Sequence, residues 1–268
     1  RDRSPSRGLG DVYKRQVDIG NDQPDISYIN SMDQTVDFLQ IKRGNPHLDN
    51  TKLYVVGIAY KAQLNRLNFQ ILGVYQKIQN NISTDYYLEN DKLVSSFRSD
   101  MDVEHWNAAL DLSYRFSDNL RAKFNARYYH TIIPGEYNIT DNSVIASLDI
   151  NYYWKNLAIN VYGSTATSRI NRFSLAIEKN PAIYGTSISW SHKGWHVETG
   201  TENPFTKHNR YREYANFSIY NYSRIQTSRI NQRTGYIKIA YTFDFGQKTS
   251  REKSDMDRNI NSAIMKTN

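Results

Sequence analysis

The chain has 268 residues, enough for one large core or two domains. A mean hydropathy of −0.71 without any long apolar run excludes a membrane protein built of helices, but not one built of alternating strands. The absence of Cys excludes disulfide frameworks, thiolate metal sites and cysteine nucleophiles. The 21 Tyr residues are typical of strands and of membrane interfaces.

The first sixteen residues, RDRSPSRGLGDVYKRQ, show neither helical nor strand periodicity. They look like a translated sequencing-adapter string, so we leave them out of the fold prediction. They carry five basic and two acidic side chains, or +3 of the net charge of +7, which leaves +4 for the rest. Because the remaining Lys and Arg are dispersed, this charge does not favour a nucleic-acid partner. The next segment, 17–50, is predicted to be a loop that leads into the first strand.

Long stretches of strict alternation follow, and they predict strands. In EHWNAALDLSYRF (104–116), for example, Trp106, Leu110 and Tyr114 share one face while His105 and Asp111 share the other. Nine segments are predicted to be strands of this kind: 51–63, 67–79, 103–116, 119–131, 143–154, 157–168, 181–191, 195–203 and 234–245. At about 3.3 Å per residue and a tilt near 40°, such strands cross an apolar band about 25 Å tall.

The connections between these strands alternate in length. Short links are predicted at 64–66, 117–118, 155–156 and 191–194, and long polar links at 80–102, 132–143, 169–180 and 204–233. Within the long links, 85–97 is predicted to be a hairpin that turns at Asn90–Asp91. The segment 216–225 is predicted to be extended loop, although 213–225 also fits a barrel strand. Short turns on one side and long loops on the other are typical of outer-membrane barrels, in which the short turns are periplasmic.

Aromatic residues lie near the predicted strand ends. Trp154, Trp190 and Trp195 flank short turns, and Trp106 lies near the opposite end of its strand. Together with the asymmetry of the links, this favours two interfacial girdles. The alternative is that they are ordinary core or edge aromatics.

No catalytic constellation stands out. The six His residues are scattered, and no nucleotide-binding loop, metalloprotease motif or nucleophile elbow occurs. We therefore predict no enzyme activity, no metal site and no cofactor.

Two groups of side chains are candidates for ligand contact. The first is a set of charged residues predicted to face the lumen, where they would attract anionic solutes or contact a plug: His105, Asp111, Arg115, Arg121, Lys123 and Arg127. Its alternative is a hydrated wall with cross-strand ion pairs, such as Asp111 with a facing Arg. The second group is an aromatic vestibule in the loops, suited to sugar or siderophore capture: Tyr86, Tyr87, Tyr211 and Tyr214. Its alternative is packing of the loops on themselves.

Three stretches resemble a known family. IKRGNPHLDN (41–50) resembles the GNP-x-L signature in barrels of TonB-dependent receptors. GYIKIAYTFDFG (235–246) and GWHVETGTENPF (194–205) resemble late strands of the outer-membrane β-barrel family common in Bacteroidetes. The resemblance spans roughly residues 24–250 and implies a barrel of about 22 strands, plugged by an N-terminal domain, that imports scarce ligands with energy passed on by TonB.

The sequence therefore predicts an all-β fold: an antiparallel up-and-down transmembrane β-barrel, present as a C-terminal fragment of about nine strands. The barrel would cover 51–245, and 246–268 would be a polar periplasmic tail, which departs from the aromatic ending of many such barrels. The expected function is uptake of a nutrient such as a siderophore or glycan across the outer membrane. The expected partners are outer-membrane lipid, the TonB complex through an upstream plug, and the nutrient, with no nucleic acid. Two alternatives stay open, an unplugged or structural barrel and a secreted soluble β-sandwich that binds glycans.

Overall fold

The computed structural model describes residues 12–136, 138–217, 219, 221–229 and 232–243. It is almost entirely antiparallel β. The elements in chain order are β1 (Val12–Asp22), α1 (Ile26–Ile29), β2 (Gln34–Thr35), β3 (Gln40–Lys42), β4 (Thr51–Leu64), β5 (Leu67–Glu89), β6 (Lys92–Arg115), β7 (Leu120–Ile133), β8 (Ile139–Trp154), β9 (Leu157–Ser164), β10 (Thr167–Asn171), β11 (Ala176–Asn180), β12 (Ile183–His192), β13 (Trp195–Glu202), β14 (Asn209–Asn216), β15 (Asn221–Ser228) and β16 (Thr234–Tyr241). Within the described residues, no helix is long and apolar enough to cross a membrane.

Ten of these strands form one continuous antiparallel wall, in the order β1-β4-β5-β6-β7-β8-β9-β12-β13-β16. Tight turns join β4 to β5, β6 to β7, β8 to β9 and β12 to β13, and long excursions join β5 to β6, β9 to β12 and β13 to β16. The link from β7 to β8, predicted to be long (132–143), is confined to 134–138, because the two strands stay paired as far as Ile133 and Ile139. The turn after β12 is closed by Lys193 and Gly194, both with positive φ (46° and 85°), which matches the twist of a two-residue hairpin. This up-and-down order confirms the nine predicted strands and their all-β, barrel-like architecture.

The segment before β4 differs from the predicted loop. Residues 12–22 pair along their whole length with β4, from Val12 opposite Lys61 to Asp22 opposite Thr51. The range 17–50 therefore contains the end of β1, the helix α1 and the short strands β2 and β3. The predicted tail, 246–268, and the Asp244–Phe245 end of the last predicted strand lie outside the described residues.

The long links are folded structures. The link 80–102 is a continuation of β5 and β6, which pair up to the turn at Asn90–Asp91, as predicted. The ladder is irregular between Ile78 and Ser83, where the shared wall ends and the extension begins. The link 204–233 contains β14 and β15, and the link 169–180 contains β11 and most of β10. The predicted strand 157–168 ends in the wall at Ser164, and its last two residues begin β10. These four strands form a second sheet in the order β10-β11-β14-β15.

The buried apolar core lies at the long-link end of the predicted crossings. It joins β5, β6 and β7 to the second sheet through Ile78, Met101, Val103, Ile133, Leu175, Ala176, Ala215 and Phe217. We call this assembly of the β5–β6 extension and the second sheet the cap. The wall itself has no comparable layer packed on its apolar rows among the described residues.

Candidate functional site: the two faces of the wall and its cap

One face of the wall consists of apolar rows that are open to solvent. Partners in register share a face, so the row Ile58, Gly73 and Ala108 continues from strand to strand, as do the rows above and below it. The exposed fraction is 56% for Ile58, 64% for Val144 and 73% for Ile237. A soluble protein buries such rows, and large apolar patches of this kind mark an interaction with a partner or a membrane.

The predicted girdle residues all lie on this apolar face. Trp154, Trp190 and Trp195 are at the tight-turn end, where the Trp195 and Tyr241 rings are 4.8 Å apart. Trp106 is toward the cap and packs on Tyr75 at 4.3 Å. From Trp106 to Tyr114 along β6 is about 26 Å at about 3.3 Å per residue. Aromatic residues thus border the apolar rows on both sides.

The other face is polar, and it holds all six of the predicted lumen-facing residues. His105, Asp111 and Arg115 alternate with the apolar row of β6, and Arg121, Lys123 and Arg127 do the same on β7. The alternative interpretation paired Asp111 with a facing Arg, but the residues directly opposite Asp111 are Gln70 and Asn125. Arg115 is instead directly opposite Arg121. His105 Nδ1 and Thr131 Oγ1 form a 2.8 Å hydrogen bond, and the His105 ring stacks on the Tyr129 ring.

The polar face also contains two clusters that the sequence did not predict. The first joins β8 and β9, where the Asn160 side-chain amide donates to Oδ2 of Asp149 and to Oδ1 of Asn151, both at 3.0 Å. The second joins β13 and β16. Tyr236 Oη donates to Oε1 of Glu198 at 2.6 Å, and Lys238 Nζ is 3.4 Å from the same oxygen. Both depend on which strands become neighbours, and alternation alone does not reveal that.

Two glycines make room for tyrosine rings on this face. A Cβ on Gly185 would be 2.6 Å from Oη of Tyr162, and one on Gly200 would be 2.7 Å from Oη of Tyr236. The rings therefore lie flat over bare backbone and cover β12 and β13. Glu198 and Glu202 are consequently buried beside them, with 7% and 8% exposed. The polar face is thus acidic at β13 and basic at β7.

The cap covers the polar face at the long-link end. The β10–β11 hairpin crosses from β8 to β5, where the backbone N–H of Thr84 donates to the carbonyl of Phe173 at 2.7 Å. The Phe173 ring lies 5.4 Å from Tyr28 and 5.8 Å from Phe97. Midway along the hairpin, the Arg169 guanidinium stacks on Tyr129 of the wall at 5.2 Å. The hairpin therefore folds over the polar face.

Ion pairs tie the cap together. Arg98 contacts Asp100 at 2.6 Å and Glu136 at 2.8 Å, and Arg43 joins Asp33 to Glu89. The hydrogen bonds from Arg98 lower the pKa of Asp100 below its ordinary value, against the opposing effect of burial. The hydrogen bonds from Arg43 lower the pKa of Asp33 in the same way. These carboxylates thus stay charged at neutral pH.

The four predicted vestibule tyrosines are spread over the cap. Tyr86 packs on Phe217 at 4.9 Å, beside the core, and Tyr87 precedes the end of β5. Tyr211 and Tyr214 are on β14. The Tyr214 ring lies between Lys179 Nζ at 5.4 Å and the Arg212 guanidinium at 5.2 Å. The four residues therefore do not form one aromatic surface, and their part in ligand contact stays a prediction.

The described ranges contain no cluster of three or more His, Asp or Glu side chains arranged to hold a metal ion. His192 and His196, which flank the turn after β12, instead make hydrogen bonds of 2.8 Å with Asn156 and Ser191.

Comparison with solved structures finds a protein with a similar fold. The chain is similar to the solved structure of the copper transporter OprC, with a TM-score of 0.65 at 12% sequence identity. The similarity covers 87% of this chain but only 38% of that one, so the chain spans well under half the length of that transporter. The likeness shows that the chain shares its fold with part of that protein. No family model and no curated protein matches the sequence.

Proposed function

We propose that the wall is a membrane-spanning segment of an outer-membrane transport barrel, with its apolar rows in lipid and its polar face toward the lumen. The observation that carries the proposal is the exposure of whole apolar rows across ten adjoining strands. Exposed apolar residues that occur singly are normal in soluble proteins, but continuous rows bordered by aromatic residues are typical of barrels. The similarity to a transporter barrel supports the same conclusion.

The cap defines the direction of transport in this proposal. Long excursions are extracellular and tight turns periplasmic in such barrels, so the cap would lie outside the cell. A ligand such as a siderophore or glycan would be captured there and would then pass along the polar face. A plug and the TonB complex, which the resemblance implies, would supply the closure and the energy. These steps need only non-covalent contacts, through which the residues bind, orient and release the ligand.

Of the alternatives, the soluble β-sandwich is disfavoured by the structure. A sandwich packs the inner faces of two sheets about 10 Å apart. Here the second sheet covers the polar side of the wall near β5 and β8, while Ile58, Val144 and Ile237 stay open. An unplugged or structural barrel remains the second candidate, because its wall would look the same.

Tryptophan quenching by brominated lipids tests the proposal. We would prepare the full chain in vesicles and compare variants that keep only Trp106 or only Trp154, with the other three tryptophans replaced by Phe. Lipids brominated near the head group should quench both residues, because both border the apolar band. Lipids brominated near the chain ends should quench them less, and should strongly quench a tryptophan placed at Leu148. Equal, weak quenching at all three positions would show that lipid does not cover this face.

A further inference from the structure

One face of the second sheet carries only positive charges among its described residues. Within β14, Arg210, Arg212 and Tyr214 alternate with Tyr211 and Glu213, so they project to the opposite side. Lys179 of β11 is directly opposite Arg212, and Glu178 is directly opposite Glu213. The register therefore places Lys179 next to Arg212 on one face. On the other face each carboxylate is also directly opposite an Arg, Glu178 opposite Arg169 and Glu213 opposite Arg224.

On the face that holds Lys179 and Arg212, this register is unfavourable for the sheet alone. Like charges that are directly opposite in a ladder repel, whereas a shift by one residue would set Lys179 against Glu213. Within the described part of the chain, no carboxylate lies within 4.0 Å of Lys179, Arg210 or Arg212. The three cations are exposed to solvent. No carboxylate of the described residues therefore neutralises these three charges, which leaves them open to an anionic ligand.

The same face has a defined chemical character. Its remaining residues on β15 are Ser223, Ile225 and Thr227, which lie opposite Tyr214, Arg212 and Arg210. No described residue of β11, β14 or β15 on this face is acidic. The surrounding segment 204–233 carries six Lys or Arg residues against one Glu. We call the set Lys179, Arg210, Arg212, Tyr214, Ser223 and Thr227 the cationic face.

We propose that the cationic face binds an acidic polysaccharide, a sugar chain bearing carboxylate or sulfate groups. Arg and Lys supply the charge-assisted hydrogen bonds that such groups accept, and the hydroxyls of Ser223 and Thr227 match sugar hydroxyls. Along β14, Arg210 and Arg212 are about 7 Å apart at about 3.3 Å per residue, so the cations form a row rather than a single pocket. A row fits successive charges on a polymer.

The geometry favours a sugar polymer over a single-stranded nucleic acid. Nucleic-acid strands gain much of their affinity by stacking bases on free aromatic faces. The Tyr214 ring has Lys179 at 5.4 Å and Arg212 at 5.2 Å, so cations already cover it. The proposal deepens the proposed function, on which it rests for the position of the cap outside the cell, by naming the class of ligand captured there.

The test uses the full chain in detergent micelles, with polygalacturonate as the probe and neutral dextran as the comparison. We expect binding of polygalacturonate that weakens as salt rises, since exposed charges are screened. The double variant Lys179→Gln, Arg212→Gln should weaken binding at least about tenfold, because even one charge-assisted contact contributes about that factor. The matched control is Arg224→Gln, which removes a cation from the opposite face of the same hairpin and should change affinity less than twofold.

Each contrary outcome overturns the proposal. Absence of binding, equal binding of dextran, or an equal loss in the control variant would remove the cationic face as the site. Tighter binding of a single-stranded oligodeoxynucleotide, lost in the same double variant, would assign the face to nucleic acid instead. Quenching by brominated lipids, measured on the same protein in vesicles, tests membrane insertion separately. Failure of polysaccharide binding can therefore be told apart from failure of the proposed function.

Discussion

The hydroxyl of Tyr236 on β16 donates a 2.6 Å hydrogen bond to the Glu198 carboxylate on the neighbouring strand β13. Glu198 is buried, with 7% exposed, and its other close donor is Lys238 at 3.4 Å. This pair links two strands that are separated in sequence by the whole β14–β15 hairpin. It therefore stabilises the wall at the point where the chain returns from the cap.

Replacing Tyr236 by Phe should destabilise the protein by about 1–3 kcal/mol, since a buried carboxylate loses a donor while the ring is kept. The measurement is the urea midpoint of unfolding in lipid vesicles. Tyr153→Phe is the control, because the hydroxyl of Tyr153 makes no hydrogen bond among the described residues. Equal midpoints for the two variants would show that the Tyr236 hydrogen bond does not contribute.

Gly200→Ala should be more damaging than its neighbour Gly235→Ala. A Cβ at Gly200 would meet the Tyr236 ring at 2.7 Å and the Thr186 carbonyl at 2.9 Å, whereas one at Gly235 meets its nearest atom at 3.8 Å. Overpacking of this kind costs about 1–3 kcal/mol. The two variants also share the loss of glycine flexibility, so the difference between their urea midpoints isolates the clash. A difference near zero would mean that the Tyr236 ring moves aside freely.

Leu148→Lys and Ser147→Lys form a matched pair on β8. Leu148 belongs to the exposed apolar rows, and Ser147 faces the polar side, where it accepts a 3.3 Å hydrogen bond from Asn125. In a membrane barrel a Lys on the lipid face near the midplane costs about 2–4 kcal/mol, and a lumen Lys is tolerated far better. The free energy of unfolding in vesicles should therefore fall much more for Leu148→Lys. In a soluble protein, the substitution of an exposed Leu would have little effect.

The wall strands could be predicted from the sequence because the alternation of apolar and polar residues that identifies a strand lies within the strand itself. A period of two places Trp106 and His105 on opposite faces whatever the neighbouring strand is, and in the structure they lie on opposite faces of β6. The tight turns are local as well. The first strand was missed in part because residues 12–16 were set aside with the adapter-like string, although Val17 and Ile19 alternate in register with Val56 and Tyr54.

The cap and its contacts could not be predicted in the same way. The pairing of Lys179 with Arg212, and of Glu198 with Tyr236, joins segments more than thirty positions apart. Alternation identifies the face of each residue but not the partner strand or its register. Phe173 is another example, since nothing in its neighbourhood in the sequence indicates the Tyr28 and Phe97 rings that it contacts.

Phe173→Ala should release the β10–β11 hairpin from the cap. The ring contacts Tyr28 and Phe97, and aromatic pairs contribute about 0.5–1.5 kcal/mol beyond the area that they bury. We expect faster amide hydrogen exchange across Thr167–Asn180, with exchange in the wall strands unchanged. Phe205→Ala is the control, because Phe205 is 84% exposed. If both variants left hairpin exchange unaltered, the anchor would have to be the backbone bond between Thr84 and Phe173.

The stability of the cap should depend on pH through Arg98. Its hydrogen bonds lower the pKa of Asp100 in the folded protein, so this contribution is present above the ordinary Asp pKa and is lost as the pH falls through the lowered folded value. The urea midpoint of the wild type should therefore drop between about pH 5 and pH 3.

Arg98→Gln should have a lower midpoint at pH 7 and a smaller drop, because Asp100 then titrates near its ordinary value in both states. The wild type must be compared with Arg98→Gln, because other carboxylates of the protein also titrate in this pH range and lower the midpoint of both. Parallel pH profiles for the two proteins would show that the Arg98 cluster does not couple protonation to folding.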